Sequence, residues 1–276
     1  MSELNKKVYP GTLQSWGICG IAVVAMLAFL PINMMLNSVL GKEPSLLIYY
    51  LLSMGAPLSF AYYIRKKETG QVGFNFINSN VKVMVLIILA TLSLQIGIVS
   101  PIVSLIPIPD IFKPMFLEMA KLNGVFAFIT LVIAAPVLEE MVFRGIILDG
   151  LLKKHSPFKS IFISSLLFGL VHLNPWQFLA GLLIGFLLGW IYYKTKNLVL
   201  PILIHLVNNG FAFMLMRFAD AEESFNQSVV ETYGGVTNTT IYISVSVLVL
   251  LLTIYLLSKE FRKEEDGQIP VNEIEG

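Results

Sequence analysis

A chain of 276 residues that is 56% hydrophobic and 13% charged, with a mean hydropathy of +0.76, carries far less charge than the roughly 25% of soluble domains and reads as an integral membrane protein. Its net charge of +1 gives no electrostatic sign of a nucleic-acid partner. The single cysteine, Cys19, excludes an internal disulfide or a cysteine-built metal site.

Apolar windows near 20 residues fall at roughly 16–39, 45–64, 82–106, 123–152, 158–172, 176–193, 198–216 and 239–258, predicting an all-α, polytopic transmembrane bundle of about eight spans. Lys6 and Lys7 precede the first run as in a signal peptide, but the run continues to about Leu40, so it is read as a retained span. Pro31 and Pro101 are tolerable kinks in membrane helices. The stretch 110–122 mixes charges with Phe, Met and Leu, as an interfacial segment does. Residues 220–237 are read as an external loop, including Glu222, Glu223 and Asn226, and the polar tail after Lys259 as disordered. Four regions follow: 1–119 with the first helices and interfacial segment, a core at 120–215, a loop and last helix at 216–258, and a tail at 259–276. With the amino terminus inside, fourteen lysines and arginines fall on the cytoplasmic side and four on the other. That bias places both termini in the cytoplasm of a multi-pass cell-membrane protein. No internal repeat supports the paired halves of many transporters.

Ionised side chains inside spans persist when they pair or do chemistry. Glu139, Glu140 and Arg144 occur together in the fourth window. On a helix Glu140 and Arg144 share a face at the i,i+4 spacing of an ion pair, and Glu139 turns roughly 100° away towards a neighbour. His172 ends the fifth window, while His205 and Asn209 lie four apart on one face of the seventh. His155, in the 153–159 loop, is read as plain surface. Counted from the flanking lysines, Glu139 and His172 lie at similar depth, ~20 Å along their helices. Three readings fit these groups: a polar network pinning helices together, a proton or ion pathway, and a hydrolase. For the last, the set supplies a general base on water, an assisting His, and a His and Asn to bind an oxyanion.

At the same residues the chain resembles a known family. EEMVFR (Glu139 to Arg144), FGLVH (Phe168 to His172) and HLVNN (His205 to Asn209) are similar to the EExxxR, FxxxH and HxxxN motifs of the CPBP intramembrane endopeptidases, the CAAX prenyl protease and bacteriocin-processing group also called Abi. The three stand in the family's order, with no departure at any motif position, and the likeness covers about 120–215. It implies a membrane protease in which Glu139 and His172 activate water, His205 and Asn209 bind the oxyanion, Glu140 and Arg144 form a supporting pair, and Phe168 shapes the pocket. The family is commonly labelled a metalloprotease, and Glu139, His172 and His205 would be the ligands of a zinc ion. There is no HExxH motif, and a glutamate-dependent mechanism without metal is the preferred expectation. The implied substrate is a membrane-associated peptide or protein, with a leader or transmembrane peptide preferred over a prenylated carboxy terminus. A non-catalytic immunity or scaffolding protein and a proton-coupled transporter are the competing classes. The oligomeric state is not indicated.

Overall fold

A computed structural model describes residues 7–218 and 227–267, the side chains of 264–267 excepted. Among these residues every regular element is a helix: α1 (Thr12–Leu40), α2 (Lys42–Thr69), α3 (Val81–Val103), α4 (Lys113–Ala120), α5 (Val125–Leu152), α6 (Pro157–Leu170), α7 (Pro175–Thr195), α8 (Val199–Phe218), α9 (Val229–Thr232) and α10 (Val236–Gly267). One apolar core links α1, α2, α3, α5, α6, α7, α8 and α10 through Ile18, Met54, Ile87, Ile146, Leu167, Leu188, Ile204 and Leu250. Sharp local signals set the boundaries. Gly41, at φ 82°, separates α1 from α2. Gly70, left-handed at φ 71°, closes α2 by returning its N–H to the Lys66 carbonyl.

Seven of these helices are long and apolar enough to cross a membrane, one fewer than the sequence suggests. The exception is α6, whose 14 residues reach roughly 21 Å, short of a hydrocarbon core of about 30 Å. Its end is set by Asn174–Pro175. Proline disfavours helical backbone at the residue before it, and Asn174 is extended at φ −143° and ψ 149°, its side chain capping the Gln177 N–H to start α7. Leu173 turns the chain between them at φ 58°. Leu173 and Pro175 of the turn are exposed, whereas Trp176 beside them is buried. Trp176 donates from its indole to the Ile106 carbonyl (3.1 Å) and meets the edges of Phe112 and Phe116 at 5.4 Å each. The stretch 110–122 therefore contains a short helix, α4, that flanks the α6–α7 turn. Lys121 and Lys42 hydrogen-bond the exposed Glu118 of this helix and hold its carboxyl down at about 2.

Small residues let α6 and α7 approach closely. A Cβ built on Gly181, Gly185 or Gly189 would stand 3.2 Å from Gly169 Cα, 2.8 Å from Ser165 Cβ and 2.9 Å from Ile161 Cγ2. Helix α5 departs from the regular ladder twice, in π turns at Ile129–Ala134 and Phe143–Leu148. Pro136 accounts for the first: its ring would clash with the carbonyl four residues back, and it has no N–H to give. The Ala135 N–H reaches instead to Thr130, five residues back. At the carboxy end α10 continues through the stretch expected to be disordered, as far as Gly267, because Phe261 is 2% exposed against Trp190 and Glu260 pairs with Lys82. Residues 268–276 lie outside the described residues. So do Glu222, Glu223 and Asn226 of the expected external loop, of which α9 is a described part.

The α6–α7 contact yields a test. Gly185→Val forces a branched side chain into Ser165, and overpacking of this kind costs about 1–3 kcal/mol. A clear fall in the melting temperature in detergent is expected, whereas Gly17→Val, with nothing within 4 Å, leaves it unchanged.

Candidate active site

Arg144 Nη1 donates to Glu140 Oε1 at 2.9 Å, and neither side chain has any exposed surface. Arg144 Nη2 also donates to the Gly185 carbonyl of α7 (3.4 Å), and the guanidinium lies 4.5 Å from the centre of the Phe168 ring. The same Glu140 oxygen takes a second donor, His205 Nδ1, at 2.9 Å. Glu140 is thus compensated from its own helix and from α8. Glu139, one residue earlier, faces elsewhere. Its Oε2 lies 3.8 Å from His205 Nε2 and makes no hydrogen bond to protein despite its burial.

Phe168 sits between the two histidines of the spans. Its ring meets His172 edge-on at 5.3 Å and His205 at 5.4 Å, with Phe143 packed on it at 5.2 Å. His172 has Nδ1 2.8 Å from the Phe168 carbonyl, a bond that needs a proton on Nδ1 and leaves Nε2 as the open nitrogen. Glu139, Glu140, Arg144, Phe168 and His205 therefore form one contiguous cluster, and His172 joins it through Phe168. His155 stands apart, with Nε2 2.8 Å from the Thr12 hydroxyl of α1.

Asn209 has a partner that only the π turn explains. The Leu131 carbonyl would normally accept from the N–H four residues on, but Ala135 is engaged with Thr130. Five residues on stands Pro136, with no N–H. Asn209 Nδ2 fills the gap at 2.9 Å, and Asn208 Nδ2 steadies Asn209 Oδ1 at 3.1 Å. The second π turn is served likewise. Asp149 passes over Gly145 to bond Arg144 and Ile146, and Ser164 and Arg65 donate to the Phe143 and Gly145 carbonyls at 3.1 and 2.9 Å.

Residues 121–211 match the family model described as type II CAAX prenyl endopeptidase Rce1-like. The matched segment is thus similar to an Rce1-like domain. It contains every motif residue of the cluster. The chain is 37% identical over 83 residues to "Putative membrane peptidase YdiL" of Bacillus subtilis, covering 30% of this chain and 34% of that protein. Over 89 residues it is 33% identical to "UPF0177 protein YxdF" of Lactococcus lactis, covering 32% of this chain and 49% of the relative. The matches thus span between a third and a half of these curated relatives. No solved structure matches the chain.

Helix α2, outside the Rce1-like segment, contributes three polar groups that the sequence does not mark. Glu43 accepts from the N–H groups of Asn123, Gly124 and Ala127 at 3.1, 2.8 and 3.4 Å, satisfying the open first turn of α5. Tyr50 donates its hydroxyl to Glu139 Oε1. Arg65, 1% exposed, holds the Gly145 and Gly73 carbonyls (2.9 and 2.8 Å) and stacks on Phe74 at 4.5 Å. Charged Glu43 and Arg65 near the ends of an apolar run look like ordinary interfacial charges, and Tyr50 is one of ten tyrosines, so only packing reveals them.

Both histidines keep Nδ1 engaged and Nε2 open, as zinc-bound histidines often do. Yet among the described residues no three His, Cys, Asp or Glu groups converge as metal ligands. Glu139, His172 and His205 do not form such a group in this structure.

The Asn209–Leu131 bond predicts a coupling. Asn209→Leu leaves a buried carbonyl unpaired, at a cost of about 1–3 kcal/mol. In a Pro136→Ala background residue 136 regains an N–H, so the same change is expected to cost at least ~1 kcal/mol less in a double-mutant cycle. Strictly additive melting shifts would sever the link between Pro136 and Asn209.

Proposed function

We propose that the protein is an intramembrane endopeptidase in which Glu139 activates water for attack on a peptide bond of a membrane-held peptide or protein. The observation that carries this reading is the division of labour in the acidic pair: each glutamate keeps one oxygen without a hydrogen bond, but Glu140 Oε1 takes both the Arg144 guanidinium and His205 Nδ1, whereas Glu139 takes only the Tyr50 hydroxyl and turns its open oxygen towards His205 Nε2 at 3.8 Å. The Rce1-like match and the name of the Bacillus relative support a membrane protease.

In the proposed reaction a water at Glu139 Oε2, beside His205 Nε2, loses a proton to Glu139 as its oxygen bonds to the scissile carbonyl carbon. The resulting oxyanion needs donors. The Asn209 amide has a second N–H beyond the one given to Leu131. His205 has Nδ1 on Glu140, so its Nε2 can face the oxyanion as a donor only when both ring nitrogens carry protons. Collapse of the tetrahedral intermediate breaks the C–N bond, and the proton held by Glu139 passes to the leaving amine. His172, with Nδ1 tied to the Phe168 carbonyl, keeps Nε2 available to assist. The lysine asymmetry supports an approach from the cytoplasmic side, with both termini there. A base within the bundle suits a leader or transmembrane peptide, and we favour this over a prenylated carboxy terminus.

Removing a general base costs typically 10²–10⁴-fold, so Glu139→Gln is expected to cut cleavage at least about 100-fold while the protein still folds. Comparative mass spectrometry of membrane-associated peptides from cells carrying the native protein or E139Q checks this. A species that accumulates uncut only with E139Q names the substrate and its bond. Identical peptide profiles from expressed proteins would contradict the enzymatic reading and favour a non-catalytic role.

A further inference from the structure

We propose that Tyr50 of α2 is a positioning residue for Glu139, so that the catalytic unit extends beyond the Rce1-like segment to the second helix of the chain. This inference rests on the reading of Glu139 as base. A glutamate carboxylate rotates broadly about its last bond, and a base must present one particular oxygen to its water. The Tyr50 hydroxyl donates to Oε1, which leaves Oε2 as the oxygen turned to His205 Nε2. One donor on one oxygen thus selects the other for proton transfer.

The donor is itself held in place. On one side of it, Glu43 caps the start of α5, and on the other Arg65 grips the Gly145 carbonyl past the catalytic turn. Tyr50 is therefore borne on a helix tied to α5 on both sides of Glu139. Its ring packs against the main apolar core, so the hydroxyl cannot drift without moving α2. The adjacent Tyr49 shows the contrast: its hydroxyl bonds the Met26 carbonyl of α1 at 3.0 Å and takes no part in the cluster.

The test uses the full chain in detergent and, as probe, a synthetic copy of the peptide that accumulates in E139Q cells. Tyr50→Phe keeps the ring and removes only the hydroxyl. The expected result is a kcat per folded molecule lowered about 10- to 100-fold, the scale of a misplaced catalytic group, with KM within about twofold; the lost bond to a buried carboxylate also lowers the melting temperature, which is why kcat is taken per folded molecule. Tyr49→Phe should retain the native kcat. If E139Q is inactive while Y50F keeps the native kcat, the role of Tyr50 is overturned and that of Glu139 stands. A lower folded yield with native kcat per folded molecule assigns Tyr50 to stability and overturns the proposal as well. If E139Q cells accumulate no peptide, or E139Q cleaves at the native rate, the reading of Glu139 fails and takes the Tyr50 role with it.

Discussion

The structure depends on a buried ion pair. Arg144 and Glu140 have no exposed surface, and each alone would be strongly destabilising within an apolar bundle. Together they are tolerable because further partners converge. His205 reaches Glu140 from α8, the Gly185 carbonyl reaches Arg144 from α7, and Phe168 offers the face of its ring from α6. Three helices thus become anchored to α5 at one level. The same anchoring frees Glu139, because the cation and the histidine Nδ1–H that could have neutralised it are committed to its neighbour.

A second constraint acts on the backbone. Every carbonyl at membrane depth needs a donor, and the π turns of α5 displace some from the regular ladder. Asn209, Ser164 and Arg65 supply donors from three other helices. Pro136 is the sequence-level cause of the first displacement, and the Asn209 bond to Leu131 is its consequence. π turns occur frequently at functional sites. Here two of them bracket the turn that carries both glutamates, so the irregular geometry of α5 and its cross-links to the bundle are one feature.

Much of this was legible in the residues. Long apolar windows forecast the helices, and the i,i+4 spacing of Glu140 and Arg144 forecast their bond. The three motifs gathered the other cluster members. The shortness of α6 was written in Asn174–Pro175, a cap followed by a first-turn proline, but a hydropathy window averages over such punctuation. The helical tail was hidden because Phe261 belongs to the core only through tertiary contact with Trp190. Tyr50 was hidden for a related reason: its neighbour Glu139 is 89 residues away, and no local period connects two helices. The edge-on contact of His172 with Phe168 was likewise not legible, since depth along two helices does not fix which rings meet.

The central claim is that the two adjacent glutamates differ in kind, Glu140 holding the fold and Glu139 held ready by it. The most direct measurement compares melting temperatures of E139Q and E140Q in one detergent. The account predicts that E139Q melts with the native protein, because its amide oxygen still accepts from Tyr50. E140Q leaves the buried Arg144 uncompensated and should lose about 3–5 kcal/mol. Equal melting temperatures for the two variants would contradict the account.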